Sequence, residues 1–333
     1  MAKFAPSPEN PNTAMDRNRK RVLITGLIVI KAAVIISLVT QGFNRDSNDE
    51  IRHLIRELNY QVGSVEIPDS FFFAGERMPL ELFDVRESLD RELLISAYRH
   101  SATIVLIKKA NRFFPVIEPI LAEYGIPDDF KYLAVAESDL ANLISPVGAT
   151  GFWQIMEATG KEQGMEINTE VDERYHLEKS TRFACNYIMK SFAKYGSWTM
   201  AAASYNAGNR GIDEQIKIQN ETDYYNLLLN EETARYIYRI ASYKLIFTHP
   251  ERYGFNITPD ELYPRIPYTE VSVDTAVTSF EQFARAFGTN YKMLKFFNPW
   301  LRKPFLTNRT GKSYTIKVPD AGYRTTVIAT DEE

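Results

Sequence analysis

The 333-residue sequence is poor in cysteine, in histidine and in excess positive charge. Its single cysteine, Cys185, cannot form an internal disulfide, and its helical pattern with Ile188 and Met189 is typical of a core thiol rather than a nucleophile. Four scattered histidines lack the spacing of metal ligands, so neither a metal nor another cofactor is expected. A net charge of −4, with basic residues clustered only beside the N-terminal hydrophobic run, argues against a nucleic-acid partner.

Hydrophobic residues make up 44% of the chain and aromatic residues 13%. That content is enough to build the core of one large domain or of two modest ones. The chain is therefore expected to be globular over most of its length.

The one long hydrophobic run lies near the N-terminus. Residues 1–21 are polar, rich in proline and basic at their end, and are expected to form a disordered cytoplasmic segment. Residues 22–40 are long enough to cross a bilayer, although the central Lys31 costs about 2.5 to 3.5 kcal/mol on insertion scales. A cleaved signal peptide is the alternative, but no small-residue cleavage site follows Leu38. The pattern favours an uncleaved anchor that exports the rest of the chain.

Apolar periodicity then predicts a mainly α-helical protein. Residues 41–79 are expected to hold a leading helix at 51–58 and a loop around Phe71–Phe73. A helical region over 80–113 is interrupted near His100, and Pro115 marks a boundary before a short helix over 116–124. Further helices are predicted over 159–163 and 179–194, after Ser197, and after Asn230. A proline-rich linker at 251–267 precedes a strand, two helices and a strand in residues 268–320.

One acidic residue occupies an apolar helix face. In the helix that begins near Asp128, Phe130, Leu133 and Leu140 recur at helical spacing, and Glu137 lies on the same face. Apolar surroundings disfavour the charged form of a carboxyl, so its pKa should rise and it could donate a proton near neutral pH. The alternatives are an ion pair with a basic residue or a rotation of the helix toward water. Asp139 points to another face and is expected to be solvated.

The next segment contains features that suit a sugar. Gly148 and Gly151 allow close approach of the backbone, while Phe152, Trp153 and Gln154 offer flat surfaces beside an amide. These residues favour a glycan site near Glu137.

Two later motifs have ordinary structural explanations. Tyr205 and Asn206 precede Gly208 at the end of a helix rich in small residues, where asparagine and glycine are common. Glu232 lies in a first turn, where an acid complements the helix dipole.

Taken together, four ordered motifs resemble those of the lysozyme-like lytic transglycosylases, in particular the membrane-bound lytic murein transglycosylase D family. The motifs are AESDL, with Glu137, then SPVGATGFWQIM from Ser145 to Met156, SYNAG from Ser204, and ETARY from Glu232. The resemblance covers roughly residues 65–250. It implies a lysozyme-like fold, with the transglycosylase domain at 80–250.

The resemblance also implies an activity. Such enzymes are carbon–oxygen lyases that cleave the bond between N-acetylmuramic acid and N-acetylglucosamine in peptidoglycan without water, leaving 1,6-anhydromuramic ends. By position, Glu137 matches the single acid that later acts as the base. The residues matching those that line the glycan cleft or hold the catalytic group are Ser145, Gln154, Met156, Tyr205, Asn206 and Glu232. A goose-type muramidase that uses water, and a catalytically silent peptidoglycan-binding scaffold, are the alternatives.

The C-terminal region resembles a divergent LysM glycan-binding module, although it lacks the usual Gly-Asp-Thr-Leu start. A structural cap on the enzyme domain is the other interpretation. With the anchor, the resemblance implies a location in the bacterial cell envelope, fixed to the inner membrane with the catalytic domain in the periplasm. Peptidoglycan strands and the membrane are the expected partners.

Overall fold

A computed structural model describes residues 63–324, of which residues 65–324 belong to one compact unit. The predicted cytoplasmic segment 1–21, the anchor 22–40 and the leading helix 51–58 lie outside the described residues. Within residues 63–324, no helix combines the length and the apolar character needed to cross a membrane.

The predicted loop around Phe71 is instead a β-hairpin of β1 (Phe71–Phe73) and β2 (Glu76–Met78). The prediction was wrong because Ala74 and Gly75 form a two-residue turn with both φ values positive (52° and 81°), a turn usually marked by Asn or Gly at its first position. The Ala74 amide donates to Asp129 Oδ2 (2.6 Å), which stabilises this conformation.

Two long helices follow the hairpin. Helix α1 (Phe83–Tyr98) buries Val85, Leu89, Leu93 and Ala97 on one face. Helix α2 (His100–Glu123) begins after a break at Arg99, as the predicted interruption near His100 indicated. The predicted boundary at Pro115 is wrong, because α2 continues through Pro115 and Pro119. Proline removes one helical hydrogen bond, but the apolar face of α2 packs against its neighbours on both sides of Pro115 and holds the helix together.

Six shorter helices complete the larger, helical part of the molecule. They are α3 (Lys131–Ser138), α4 (Glu157–Glu162), α5 (Leu177–Tyr195), α6 (Trp198–Ala207), α7 (Asn209–Gln219) and α8 (Glu231–Thr248). The predicted caps are confirmed: Ser197 accepts from the Met200 amide (3.2 Å), and Asn230 accepts from the Thr233 amide (3.0 Å).

Helix α8 lies at the centre of this helical part and packs against α1, α3 and α6, while α5 packs against α2 and α6. The small residues of α6 are fully buried, which permits the close approach expected from its sequence. Glu76 of the hairpin accepts hydrogen bonds from the Trp198 and Thr199 amides (2.6 and 2.8 Å), at the N-terminus of α6. The hairpin is thereby fastened to a helix of the candidate site.

The predicted strand–helix–helix–strand order is confirmed in the C-terminal region. Strands β3 (Tyr268–Val273) and β4 (Tyr314–Pro319) pair antiparallel, and α9 (Phe280–Ala286) and α10 (Tyr291–Phe297) lie between them in sequence. Ser279 and Asn290 cap the two helices. The described chain is thus mainly helical with two small antiparallel sheets.

Candidate active site

Glu137 occupies the last turn of α3, on the face whose other members, Phe130, Leu133 and Ala134, are fully buried. Its side chain keeps partial solvent access. Protein packed around the carboxyl disfavours the charged form and raises the pKa of Glu137 to about 7. The predicted apolar surroundings are confirmed.

The hydroxyl of Tyr236 donates to Glu137 Oε1 at 2.5 Å. Burial raises the pKa of Tyr236 well above its ordinary value, so this fully buried hydroxyl keeps its proton and remains a donor. Its hydrogen bond opposes the effect of burial on Glu137, because it stabilises the carboxylate. Tyr236 was not among the predicted site residues, although it is the last residue of the ETARY motif.

A series of side-chain hydrogen bonds joins α6 to α8 beside Glu137 and Tyr236. The Asn206 amide oxygen accepts from the Thr233 hydroxyl (2.8 Å), and its nitrogen donates to Glu232 Oε1 (3.3 Å). Glu232 is exposed, and its negative charge adds to the raised pKa of Glu137. The structure therefore brings Asn206 and Glu232 together next to the candidate acid.

Tyr205 directly precedes Asn206 on α6. Its hydroxyl donates to the Trp153 carbonyl (2.7 Å), and its ring packs edge-on against Tyr187 with centroids 5.4 Å apart. Burial raises the pKa of Tyr205 well above its ordinary value, with a contribution from the charge of Glu137. Tyr205 thus links α6 to the segment that follows α3.

Ser145 and Gln154 use their side chains to shape that segment. Ser145 Oγ accepts from the Ala149 amide (3.0 Å) and closes a tight turn. The Gln154 side-chain nitrogen donates to the carbonyls of Gly151 (2.9 Å) and Leu143 (3.3 Å). Met156 is 43% exposed.

The expectation that Phe152 and Trp153 offer flat sugar-binding surfaces is wrong. Trp153 is fully buried and donates to Thr181 Oγ1 (2.9 Å), while Phe152 packs edge-on against Phe113. Both rings pack into the hydrophobic core. The exposed apolar surface of the segment comes instead from smaller side chains, namely Leu143, Ile144, Val147 and Met156.

Gly151 confirms the predicted close approach of the backbone. A Cβ at this position would lie 2.1 Å from the Arg174 carbonyl oxygen, and the residue has a φ of +86°. The buried Arg174 side chain is paired with Asp172 (2.8 Å) and donates to the Gly148 and Ile155 carbonyls (both 3.3 Å). Arg174, which the sequence placed only in a polar loop, therefore fixes the loop next to the site.

A buried carboxylate on α1 organises basic side chains of α8. Glu92 is almost fully buried and accepts from Arg235 Nε (2.7 Å), with Arg239 Nε at 3.8 Å. The positive charge of Arg239 acts against the raised pKa of Glu137. The contact of Glu92 with Arg235 and Arg239 was not predicted from the sequence, although the acid on the buried face of α1 was the available signal.

Two residues near the site behave as predicted. Asp139 keeps solvent access and pairs with Arg99 (3.2 Å), away from the apolar face. Burial raises the pKa of Cys185 to about 12, so this core thiol is not a nucleophile at neutral pH.

Comparisons with known proteins agree with the motifs. Residues 116–228 match the model of the transglycosylase SLT domain, and residues 269–322 match that of the soluble lytic transglycosylase C-terminal LysM-like domain. Both a lysozyme-like domain and a divergent LysM-like domain are thereby confirmed. The first match contains every predicted site residue except Glu232.

The chain is also similar to membrane-bound lytic murein transglycosylase D of two Escherichia coli strains, K12 and O6:H1 (CFT073). Each is 26% identical over 203 residues, which cover 58% of this chain and 44% of the relative. The chain thus spans less than half of the length of these relatives. The resemblance to this family, first inferred from four motifs, is confirmed.

Proposed function

We propose that this protein is a lytic transglycosylase that cleaves the bond between N-acetylmuramic acid and N-acetylglucosamine in peptidoglycan. The observation that carries the proposal is Glu137, a carboxyl group whose surroundings raise its pKa to about 7 within the SLT-matched region. Such a group can hold a proton for a leaving group at neutral pH.

In the first step, Glu137 gives its proton to the glycosidic oxygen as the bond to the muramic anomeric carbon breaks. Glu137 becomes a carboxylate, to which the Tyr236 hydroxyl already donates. A hydrogen bond to an ionised group is worth about 1.5–3 kcal/mol. Tyr236 would therefore stabilise the carboxylate that proton transfer creates.

In the second step, the Glu137 carboxylate takes the proton of the muramic C6 hydroxyl as that oxygen bonds to the anomeric carbon. The acid is restored, and the product carries a 1,6-anhydro ring. Two-carboxylate glycosidases need a second acid as nucleophile or as the base for water, whereas here the substrate supplies the nucleophile. One carboxyl group is sufficient for this sequence of steps.

Six further residues are proposed to bind the substrate. Tyr205 and Asn206 would orient the N-acetyl group, and Glu232, which accepts a hydrogen bond from Asn206, would support the cleft from α8. Ser145 and Gln154 would keep their loop in shape through the contacts described above, and Met156 would offer an exposed apolar contact to a sugar face.

We further propose that the LysM-like domain contacts the glycan strand and that residues 22–40 anchor the enzyme in the inner membrane, with its catalytic part in the periplasm. The relatives' description as membrane-bound supports this placement.

Digestion of purified peptidoglycan by the full chain, followed by mass spectrometry, tests the reaction. We expect anhydromuramic ends, which are lighter by one water than reducing ends. Glu137→Gln should abolish product formation, whereas Asp139→Asn removes a neighbouring exposed carboxylate and should retain it. Reducing ends would identify a water-using muramidase, and activity of Glu137→Gln would refute the assignment of the acid.

A further inference from the structure

A cavity of about 470 Å³ lies where the helical part meets the C-terminal region. One wall comes from α2, between Lys109 and Val116, and another from residues 140–142, which directly follow the helix that carries Glu137. Residues 263–268 and the end of α10 close the other sides. Its volume is typical of small-ligand sites, which occupy about 300–1,000 Å³ and occur preferentially at domain interfaces.

Three basic side chains of the cavity form no ion pair within residues 63–324, although the Asp139 charge partly compensates that of Lys109. Lys109 Nζ donates to the Asp139 carbonyl oxygen (2.9 Å), and Arg112 Nε donates to the Pro264 carbonyl (3.0 Å). Neither they nor Arg265 form an ion pair with any carboxylate within residues 63–324. Partial burial lowers the pKa values of Lys109 and Arg112, because their charges are incompletely compensated.

The acidic side of the cavity is already neutralised. Glu178, its carboxylate-bearing residue, is paired with Lys317 and with His176, and these contacts hold the pKa of Glu178 at about 2. Lys109, Arg112 and Arg265 consequently give the cavity an excess of positive charge. An anionic ligand would balance it.

The remaining residues that line the cavity indicate which uncharged groups the ligand should carry. Apolar walls are formed by Phe113, Val116, Phe152, Ile266, Phe296 and Trp300. The cavity thus suits a ligand with carboxylates and aliphatic groups.

We propose that this cavity binds the acidic peptide stem attached to the muramic acid of a peptidoglycan strand. This inference rests on the proposed function and adds a substrate-recognition site to it. Stem carboxylates would face the basic side chains, and alanine methyl groups would contact the apolar walls. Residues 140–142 would connect recognition of the stem with the end of α3, where Glu137 lies.

Direct binding to the full chain is the primary test, because it needs no catalysis. The probe is the synthetic tripeptide L-alanyl-γ-D-glutamyl-meso-diaminopimelate, titrated by calorimetry. Arg265 is exposed and makes no ion pair with the described residues, so Arg265→Glu should preserve the fold while reversing a charge of the cavity. We expect about tenfold weaker binding, and weaker binding by the wild type at high salt.

Arg86→Glu is the matched control. Arg86 is an exposed arginine on α1 that lies outside the cavity, so the same charge reversal should leave the affinity unchanged. Failure of the tripeptide to bind the wild-type protein, or equal weakening by both variants, would overturn the proposal.

Kinetics separate this inference from the proposed function. Wild type should cleave peptide-bearing strands with a higher kcat/KM than strands stripped of peptides by an amidase. Arg265→Glu should lose this preference while cleaving stripped strands at the wild-type rate. An equal loss on both substrates would refute a stem site. If neither strand is cleaved by the wild type, the proposed function fails, and the calorimetry still decides whether the cavity binds the stem.

Discussion

At the residue scale, opposing influences act on the carboxyl group of Glu137. Burial and the nearby Glu232 charge favour the protonated form, whereas the Tyr236 hydroxyl and the Arg239 charge favour the carboxylate. Burial is the largest of these effects, so the balance leaves the pKa at about 7. An acid that must first give and then take a proton benefits from such a balance, because neither form is strongly disfavoured near neutral pH.

This raised pKa predicts a pH-dependent stability difference for Glu137→Gln. The unfolded chain ionises Glu137 near 4.5, whereas the native protein does so only at about 7. Wild type therefore loses stability as the pH rises from about 4.5 to about 7, and the glutamine variant lacks this loss. Relative to the wild type, the variant should gain on the order of 3 kcal/mol between pH 4 and pH 8. Urea denaturation at both pH values measures the gain, and an unchanged difference would contradict the raised pKa.

Tyr236→Phe tests the hydrogen bond on the acid. Removing the hydroxyl eliminates a contact that lowers the pKa of Glu137, so the loss of kcat/KM at alkaline pH should begin at a higher pH than in the wild type. The carboxylate formed by proton transfer also loses its donor, and kcat should fall roughly tenfold to a hundredfold.

The control is Tyr195→Phe, which removes a hydroxyl that binds Asn209 and Asp213 rather than Glu137. It should retain both the rate and the pH profile. A Tyr236→Phe profile that coincides with that of the wild type would show that the hydroxyl does not tune the acid.

The place of Glu137 on a buried helix face could be predicted from sequence, because three buried neighbours at helical spacing define that face. The contact of Tyr236 with Glu137 could not be predicted in the same way, since Tyr236 lies 99 positions further along the chain and fits equally well as a core residue. Glu92 and Arg239 likewise come together only when α1 packs against α8. Local periodicity identifies the side chain that is out of place, and tertiary packing determines its partners.

At the element scale, the loop between α3 and α4 makes a close backbone contact at Gly151. Gly151→Ala would force a Cβ to within 2.1 Å of the Arg174 carbonyl, at a φ that alanine disfavours. Gly148 has nearly the same φ (+85°) but no atom within 4 Å of such a Cβ. We expect Gly148→Ala to cost about 1 kcal/mol and Gly151→Ala about 3 kcal/mol or more. Thermal denaturation measures both, and equal costs would mean that the loop yields at Arg174.

The helices could largely be predicted because their signals are local. The helix starts predicted after Ser197 and after Asn230 depend only on nearby capping residues, and both predictions are confirmed. The boundary predicted at Pro115 was wrong because long-range packing of the helix outweighed the hydrogen bond that proline removes. The hairpin was missed because Ala74 owes its positive φ in part to a hydrogen bond with Asp129, 55 residues away.

At the scale of the whole molecule, the LysM-like domain shares a hydrophobic cluster with the helical part. Val171 and Tyr175, from the loop before α5, are buried with Trp300, Leu301 and other residues of the C-terminal core. Backbone hydrogen bonds run across the same contact, from the Asp172 amide to the Trp300 carbonyl (2.9 Å) and from the Arg302 amide to the Glu170 carbonyl (2.7 Å).

The connecting passage is also fixed. Arg112 of α2 donates to the Pro264 carbonyl, and the Tyr263 amide donates to the Lys108 carbonyl (3.2 Å). The sequence predicted residues 251–267 as a linker, but this passage follows the surface of α2. A glycan-binding surface on the C-terminal domain would therefore have a fixed position relative to Glu137. It would not move on a flexible tether.

Val171→Asp should uncouple the two parts. An ionised carboxylate in this apolar cluster would cost several kcal/mol, because it would lose its hydration without gaining a partner. Calorimetry should show one cooperative transition for the wild type and a separate, lower transition for the C-terminal domain of the variant. Limited proteolysis should then cut residues 251–267 first, since their contacts depend on docking. Val147→Asp, at a 75% exposed valine, is the control and should melt like the wild type. A single, unshifted transition for Val171→Asp would mean that the two parts are held together mainly by their polar contacts.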